Sequence, residues 1–117
     1  MTTGSSLTRW RPMPRSSKGY KVTLMLPLRD NDGAPIDRDT WDWWHDRLTA
    51  LVAGFTDMGV VSGWWRGYTD ENRRITIVVR SMREVQGIRR LLREARLRFR
   101  QEAMYLEYHA VSFEEVV

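Results

Sequence analysis

Histidine is the only side chain in this sequence that ordinarily titrates near neutral pH, and its two copies stand in no recognised catalytic pattern. His109 follows Tyr108 and lies near Glu107, so on an open sheet face it would be placed to act as a general base. A lone histidine in a strand is more often structural. Cysteine is absent, and no serine has a nucleophile context. We therefore predict no catalytic residue.

Metal and nucleotide chemistry is equally unsupported. The run Asp30-Asn31-Asp32-Gly33 begins like a calcium loop, but it lacks the later ligands and the closing glutamate. It is predicted to be a turn. No Gly-rich phosphate-binding loop occurs. The sequence predicts neither a metal nor a cofactor.

Four arginines form a basic stripe on a predicted helix at spacings of four, three and four residues: Arg89, Arg93, Arg96 and Arg100. Such a row can follow a nucleic-acid backbone. It can also be a solvated face that meets acidic residues elsewhere, and residues 29–57 supply seven Asp against three Arg. We favour the solvated face and keep nucleic-acid binding as an alternative.

The N-terminal arm, residues 1–19, carries the whole net charge of +4, whereas residues 20–117 hold 15 basic and 15 acidic side chains. Its Ser, Thr, Gly and Pro content buries too little apolar surface to offset the entropy of ordering. The arm is therefore predicted to be flexible alone and to be ordered by a protein partner through Trp10 and Arg11. An arginine-flanked tryptophan is also compatible with single-stranded nucleic acid.

Hydrophobic periodicity divides residues 20–117 into six elements. Alternation predicts a strand over residues 20–28, and an apolar stripe predicts a helix that Asp39 or Thr40 caps and that is complete before Gly59. A hairpin is predicted from strands 60–68 and 73–80 with a turn at 69–72. A second helix over 82–100 and a strand over 104–113 complete the order βαββαβ, with a helix continuing to about Glu107 as the alternative for the start of the last strand. This order predicts an α+β, ferredoxin-like fold with a four-stranded antiparallel sheet.

Right-handed crossovers in that fold place both helices on one side of the sheet. The open face is predicted to carry Lys21, Thr23, Met25, Thr76, Val78, one of Trp64 and Trp65, and Tyr105, Glu107, His109, Val111 and Phe113. Exposed apolar surface of this kind marks an interface or a ligand groove. The simplest occupant is a second copy of the chain, and the alternative is that the arm or the C-terminal tail covers the face. Trp43 lies outside the apolar stripe and is predicted to stack on Arg47 or on a partner.

The segments GWWRG, RRITIVV and RFRQEAMYLEYHAVSFEE, after a Trp-rich first helix, resemble an uncharacterised family of small bacterial proteins. The resemblance covers residues 20–115. It implies a ferredoxin-like fold and a bacterial origin, and it implies no established activity.

The length of 117 residues fits one domain, and the lack of cysteine fits a reducing compartment. The sequence has neither an apolar run of membrane-spanning length nor a secretory h-region, so we expect a cytoplasmic protein that binds no membrane. The function predicted is a non-enzymatic module that oligomerises through the open face and engages a protein partner. The alternatives are nucleic-acid binding by the arm and the basic stripe, and a small-ligand, monooxygenase-like enzyme that uses His109.

Overall fold

The computed structural model describes residues 17–65 and 67–116, with the backbone alone for Trp65. Its elements are β1 (Ser17–Pro27), α1 (Arg38–Leu51), β2 (Thr56–Trp65), β3 (Tyr68–Val79), α2 (Met82–Arg98) and β4 (Tyr105–Phe113). All pairings are antiparallel, and the strand order is β2-β3-β1-β4. This is the ferredoxin-like βαββαβ fold that the sequence predicts. Trp10 and Arg11 lie outside the described residues.

The hydrophobic core lies between one face of the sheet and both helices. Alternation along the two central strands buries Val22, Leu24 and Leu26 of β1 and Ile75, Ile77 and Val79 of β3. The helices contribute Trp44, Leu48, Val85, Ile88, Leu91, Leu92 and Ala95, and Phe99 follows α2. Since these residues form a single cluster, both helices cover the same side of the sheet, and among residues 17–65 and 67–116 no helix covers its other side.

The helix starts follow from capping chemistry. The α1 helix begins after Asp37, whose Oδ1 accepts a hydrogen bond from the Thr40 backbone N–H at 2.8 Å. The prediction of Asp39 or Thr40 as the cap was wrong, because Asp37 has the extended backbone that an N-cap needs. The hydrogen bond also holds the pKa of Asp37 below its ordinary value. The α2 helix begins with a complete capping box between Ser81 and Glu84.

The β1 strand starts earlier than predicted, at Ser17, so residues 17–19 belong to the sheet and not to the arm. These three residues pair with the end of β4, from Ser17 opposite Phe113 to Gly19 opposite Val111. Gly19 permits the close approach of β3, because a Cβ at this position would lie 2.1 Å from the Val79 carbonyl oxygen. Residues 17–19 have the composition of a loop, yet the packing of β1 against β3 requires a glycine at residue 19.

The β2–β3 hairpin differs most from the prediction. Trp65 pairs directly with Tyr68, and Gly67 between them has a φ of +87°. The predicted turn at residues 69–72 is wrong, since these residues belong to β3. Gly59 lies within β2 at a bulge between Asp57 and Val60, and its φ of +81° accommodates the extra residue. The α1 helix itself ends at Leu51.

No helix within residues 17–65 and 67–116 is both long enough and apolar enough to cross a membrane.

Candidate functional site

The open face consists of cross-strand rows whose members follow from the register. Val78, Lys21 and His109 form one row across β3, β1 and β4. Beside it, Thr56, Thr76, Thr23 and Glu107 form a row that crosses all four strands, and Arg74, Met25 and Tyr105 form the next. The register thus brings together the residues that the sequence assigns to this face from the central strands and from β4 between residues 105 and 111.

The chemistry of the open face is mixed rather than purely apolar. Val78 and Tyr105 expose 49% and 52% of their surface, Met25 is half-buried, and Lys21, Glu107 and His109 are exposed. Thr23 is only 3% exposed although no helix covers it, because it lies in a central strand between Thr76 and Glu107. A face with exposed apolar groups among separated charges is the type that protein interfaces use.

Arg74 has the least satisfied polar group on this face. Its Nε is buried and has no hydrogen-bond partner among the described residues. A buried polar atom without a partner costs free energy, and more so when it belongs to a charged group. The open face therefore lacks one acceptor next to Met25, the residue that pairs with Arg74.

A cleft of about 360 Å³ continues the open face toward the hairpin. Its lining includes Met25, Val61, Asp70, Asn72 and Tyr105. The register accounts for this grouping, because Val61 pairs with Asn72 and Gly63 with Asp70 on the side that Met25 and Tyr105 share. The cleft offers an aromatic ring, a thioether, an amide and a carboxylate within the volume range of small-ligand pockets.

Trp64 borders this cleft and exposes 74% of its surface. It pairs with Thr69, and residues 67–71 are all exposed, so the end of the hairpin extends beyond the cover of the helices. The sequence predicts that one tryptophan of this pair lies on the open face. Trp64 is exposed, but as the partner of Thr69 it alternates with Gly63 and lies on the opposite side of the sheet. The side chain of Trp65 lies outside the description.

Trp43 lies on α1 and contacts arginines of both helices. The Arg47 guanidinium lies 5.4 Å from its ring centroid, as predicted, and the Arg98 guanidinium lies 4.5 Å from it. Arg47 also forms a bidentate ion pair with Glu94 of α2, with N–O distances of 2.9 and 2.7 Å. These hydrogen bonds lower the pKa of Glu94 and raise that of Arg47. Trp43 is therefore half-buried in a connection between α1 and α2, and its contact with a partner stays a prediction.

The predicted basic stripe is shorter than its spacing suggests. The α2 helix ends at Arg98, and Arg100 adopts a φ of +52° and binds Asp32 at 2.9 Å. Arg89 lies over the Tyr108 ring at 5.7 Å, and Arg96 donates to the Gln101 carbonyl oxygen at 3.2 Å. Arg93 remains exposed with no ion pair among the described residues. The ion pair between Arg100 and Asp32 agrees with the interpretation that the stripe pairs with acidic residues elsewhere in the fold.

The histidines lie apart from each other. His109 is exposed on the open face opposite Lys21, whereas His45 packs edge-on against Phe55, with 6.0 Å between ring centroids. The described residues contain no cluster of three His, Asp or Glu side chains able to hold a metal ion. Sequence reasoning missed Arg74, Asp70 and Asn72, because the predicted turn at residues 69–72 removed the last two from the sheet.

The chain is similar in structure to a phage SAM lyase in complex with S-methyl-5'-thioadenosine, with 20% identity, 83% of this chain and 90% of that chain covered, and a TM-score of 0.52. Phage SAM lyase in its apo state gives 16% identity, 87% and 92% coverage and a TM-score of 0.48. The C-terminal domain of the MgtC protein from Mycobacterium tuberculosis gives 14% identity, with 84% of this chain and 89% of that chain covered, and a TM-score of 0.30. No family model and no curated protein matches the sequence. The similarity to the complexed phage SAM lyase supports the shared ferredoxin-like fold.

Proposed function

We propose that the chain is a self-associating interaction module whose open sheet face meets a second copy of itself. The observation that carries this proposal is the exposed apolar surface of Tyr105 and Val78, which lie two rows apart on the side of the sheet opposite the helices. A second copy supplies apolar cover for these side chains. In a two-fold interface each contact occurs twice, because the same patch of both copies takes part.

Size-exclusion chromatography with light scattering tests this assembly. Val78→Arg places a cation next to Lys21 in the centre of the face, and the interface then holds uncompensated charge. We expect this variant to lose the association that the open face provides, so that its mass at a given concentration falls below that of the unmodified chain. Leu97→Arg is the matched control, because Leu97 is 66% exposed on α2, away from the sheet. A monomeric unmodified chain at 100 µM, or equal effects of the two variants, would refute the proposal.

The protein partner predicted for the N-terminal arm, which now comprises the residues before Ser17, belongs to the same proposal. The bacterial origin and the cytoplasmic location belong to it as well, and all three rest on the sequence. Nucleic-acid binding is the less favoured function, because Arg96 and Arg100 already have partners within the chain.

A second candidate function is the binding of a small nucleoside in the cleft beside Tyr105, and the cleft's donor set favours it. The Tyr105 ring is suited to stack on a purine, Asp70 to accept from ribose hydroxyls, and Asn72 to pair with a base edge. Met25 provides a soft contact for a thioether. S-methyl-5'-thioadenosine, the ligand named with the phage SAM lyase, combines these groups and is the appropriate probe.

Calorimetric titration of the full chain with S-methyl-5'-thioadenosine tests this candidate. We expect Tyr105→Ala and Asp70→Ala each to weaken binding at least tenfold, since one stacked ring or one charged hydrogen bond contributes about 1.5 kcal/mol or more. Asp39→Ala on α1 is the control and leaves binding unchanged. The absence of binding at millimolar ligand would exclude a nucleoside thioether from the cleft.

A further inference from the structure

The outer edge of β4 is a second unpartnered surface, distinct from the open face. β4 is an edge strand in the order β2-β3-β1-β4 and pairs only with β1 among the described residues. It is nine residues long, and residues 107–110 are all exposed. A free strand edge presents unpaired backbone N–H and C=O groups and is a template for another strand.

A basic groove lies beside the first half of this edge, between α2 and β4. Arg89, Arg93 and Arg96 line it from the helix, and Met104, Leu106 and Tyr108 line it from β4 and the residue before it. Its volume is about 380 Å³. Arg93 has a free guanidinium within the described part of the chain, and Tyr108 is 40% exposed. The groove therefore suits an extended segment with an acidic side chain.

The opposite end of the same strand is acidic. Glu114 and Glu115 directly follow β4, are exposed, and form no ion pair within residues 17–65 and 67–116. Glu114 lies ten residues from Met104, about 33 Å along an extended chain. The acidic end of β4 therefore cannot enter the groove of its own chain, whereas that of a second copy running antiparallel can.

We propose that two copies of the chain pair antiparallel through their β4 edges, so that Glu114 of each copy lies in the basic groove of the other. A two-fold axis through His109 places Ser112 opposite Leu106 and Glu114 opposite Met104. Directly opposed residues share a sheet face, so Glu114 lies on the helix side, near Arg93 and Arg96, while Glu115 lies on the other side. The partner is thus defined by antiparallel register and by opposite charge at the two ends of one strand.

This edge pairing does not depend on assembly through the open face. Two edge-paired chains share a continuous sheet, and the open faces of both remain on the same side. Val78 and Arg74 lie on β3 and are separated from the β4 edge by β1. Failure of either proposal leaves the other intact.

Charge reversal tests the contact by sedimentation velocity in the Val78→Arg background, which removes the open-face contribution. We expect Glu114→Arg to raise the dimer dissociation constant about tenfold, since two symmetric contacts change from attraction to repulsion. Glu115→Arg is the matched control on the opposite face and changes it less than twofold. Adding Arg93→Glu to Glu114→Arg restores the affinity, an outcome that a merely destabilised fold does not produce.

Disulfide trapping tests the register, since the chain has no cysteine of its own. Under mild oxidation, His109→Cys is expected to give a covalent dimer, because opposed Cβ atoms lie about 5 Å apart. Ser112→Cys is the control in the same strand, because its two copies lie about 20 Å apart in this register. A monomeric Val78→Arg chain at 100 µM, equal effects of the two glutamate variants, or a covalent dimer no more abundant for His109→Cys than for Ser112→Cys would overturn the proposal.

Discussion

Substitution of Gly19 is the most direct test of where the folded domain begins. A Cβ at residue 19 would lie 2.1 Å from the Val79 carbonyl oxygen, against the 3.0 Å below which Cβ contacts essentially never occur. Gly19→Ala therefore requires β1 and β3 to separate by about 0.9 Å at this point. Overpacking of this kind costs about 1–3 kcal/mol, and loosening one ladder hydrogen bond adds about 1 kcal/mol. We expect the free energy of unfolding to fall by about 2–4 kcal/mol.

Urea denaturation followed by circular dichroism measures this change, and the melting temperature should fall by about 10 °C. Gly63→Ala is the matched control in β2, because nothing lies within 4 Å of its added Cβ and its φ is not positive. Its unfolding free energy should change by less than about 0.5 kcal/mol. If the two variants differ by less than that amount, residues 17–19 do not pack as part of the sheet and the assigned start of β1 is wrong.

Three further predictions concern the helix layer. Phe99→Ala should lower the free energy of unfolding by about 3–5 kcal/mol in urea melts, because Phe99 is fully buried and packs edge-on against two tryptophans; a loss below about 1 kcal/mol would contradict this core. Ser81→Ala should cost about 1 kcal/mol in the same assay by removing one half of the capping box with Glu84, and no change would show that the box contributes nothing. Because the pKa of Glu94 is lowered in the folded state, its pair with Arg47 stabilises the fold at pH values above the ordinary pKa of 4.5. This stabilisation is lost as the pH falls through the lower pKa of the folded state. Glu94→Gln should therefore flatten the acid side of the melting temperature against pH, and an unchanged slope would show that the pair does not contribute.

The hairpin shows why local patterns mislead at particular residues. Thr69, Asp70, Glu71 and Asn72 have the composition of a turn, yet they form strand pairs because the neighbouring β2 strand is long enough to meet them. The tight connection is marked by Gly67, whose positive φ a side chain would disfavour. The sequence does not predict the cleft beside Tyr105 for the same reason, since the cleft residues Asp70 and Asn72 lie in a segment whose composition is typical of a loop.

The Arg47–Glu94 pair shows a different limit. The sequence suggests that an acidic first helix attracts a basic second one, but the contact uses an arginine of α1 and a glutamate of α2. Net charge over a segment does not identify which side chains face each other, because helix rotation and crossing position decide that. Arg100 was likewise assigned to the stripe by spacing, and its left-handed backbone turns it toward Asp32.

The order of elements and the identity of the core strands follow from the amino-acid pattern, because burial on one side of a sheet or helix imposes a period of two or 3.6 residues on the chain. Val22, Leu24, Ile75 and Ile77 are recognisable from that period alone. Which residues become neighbours on the open face and in the basic groove follows from the folded arrangement and not from the pattern. Those contacts depend on strand register and on the exact ends of helices, which single turns, bulges and backbone approaches set and which leave almost no periodic signal.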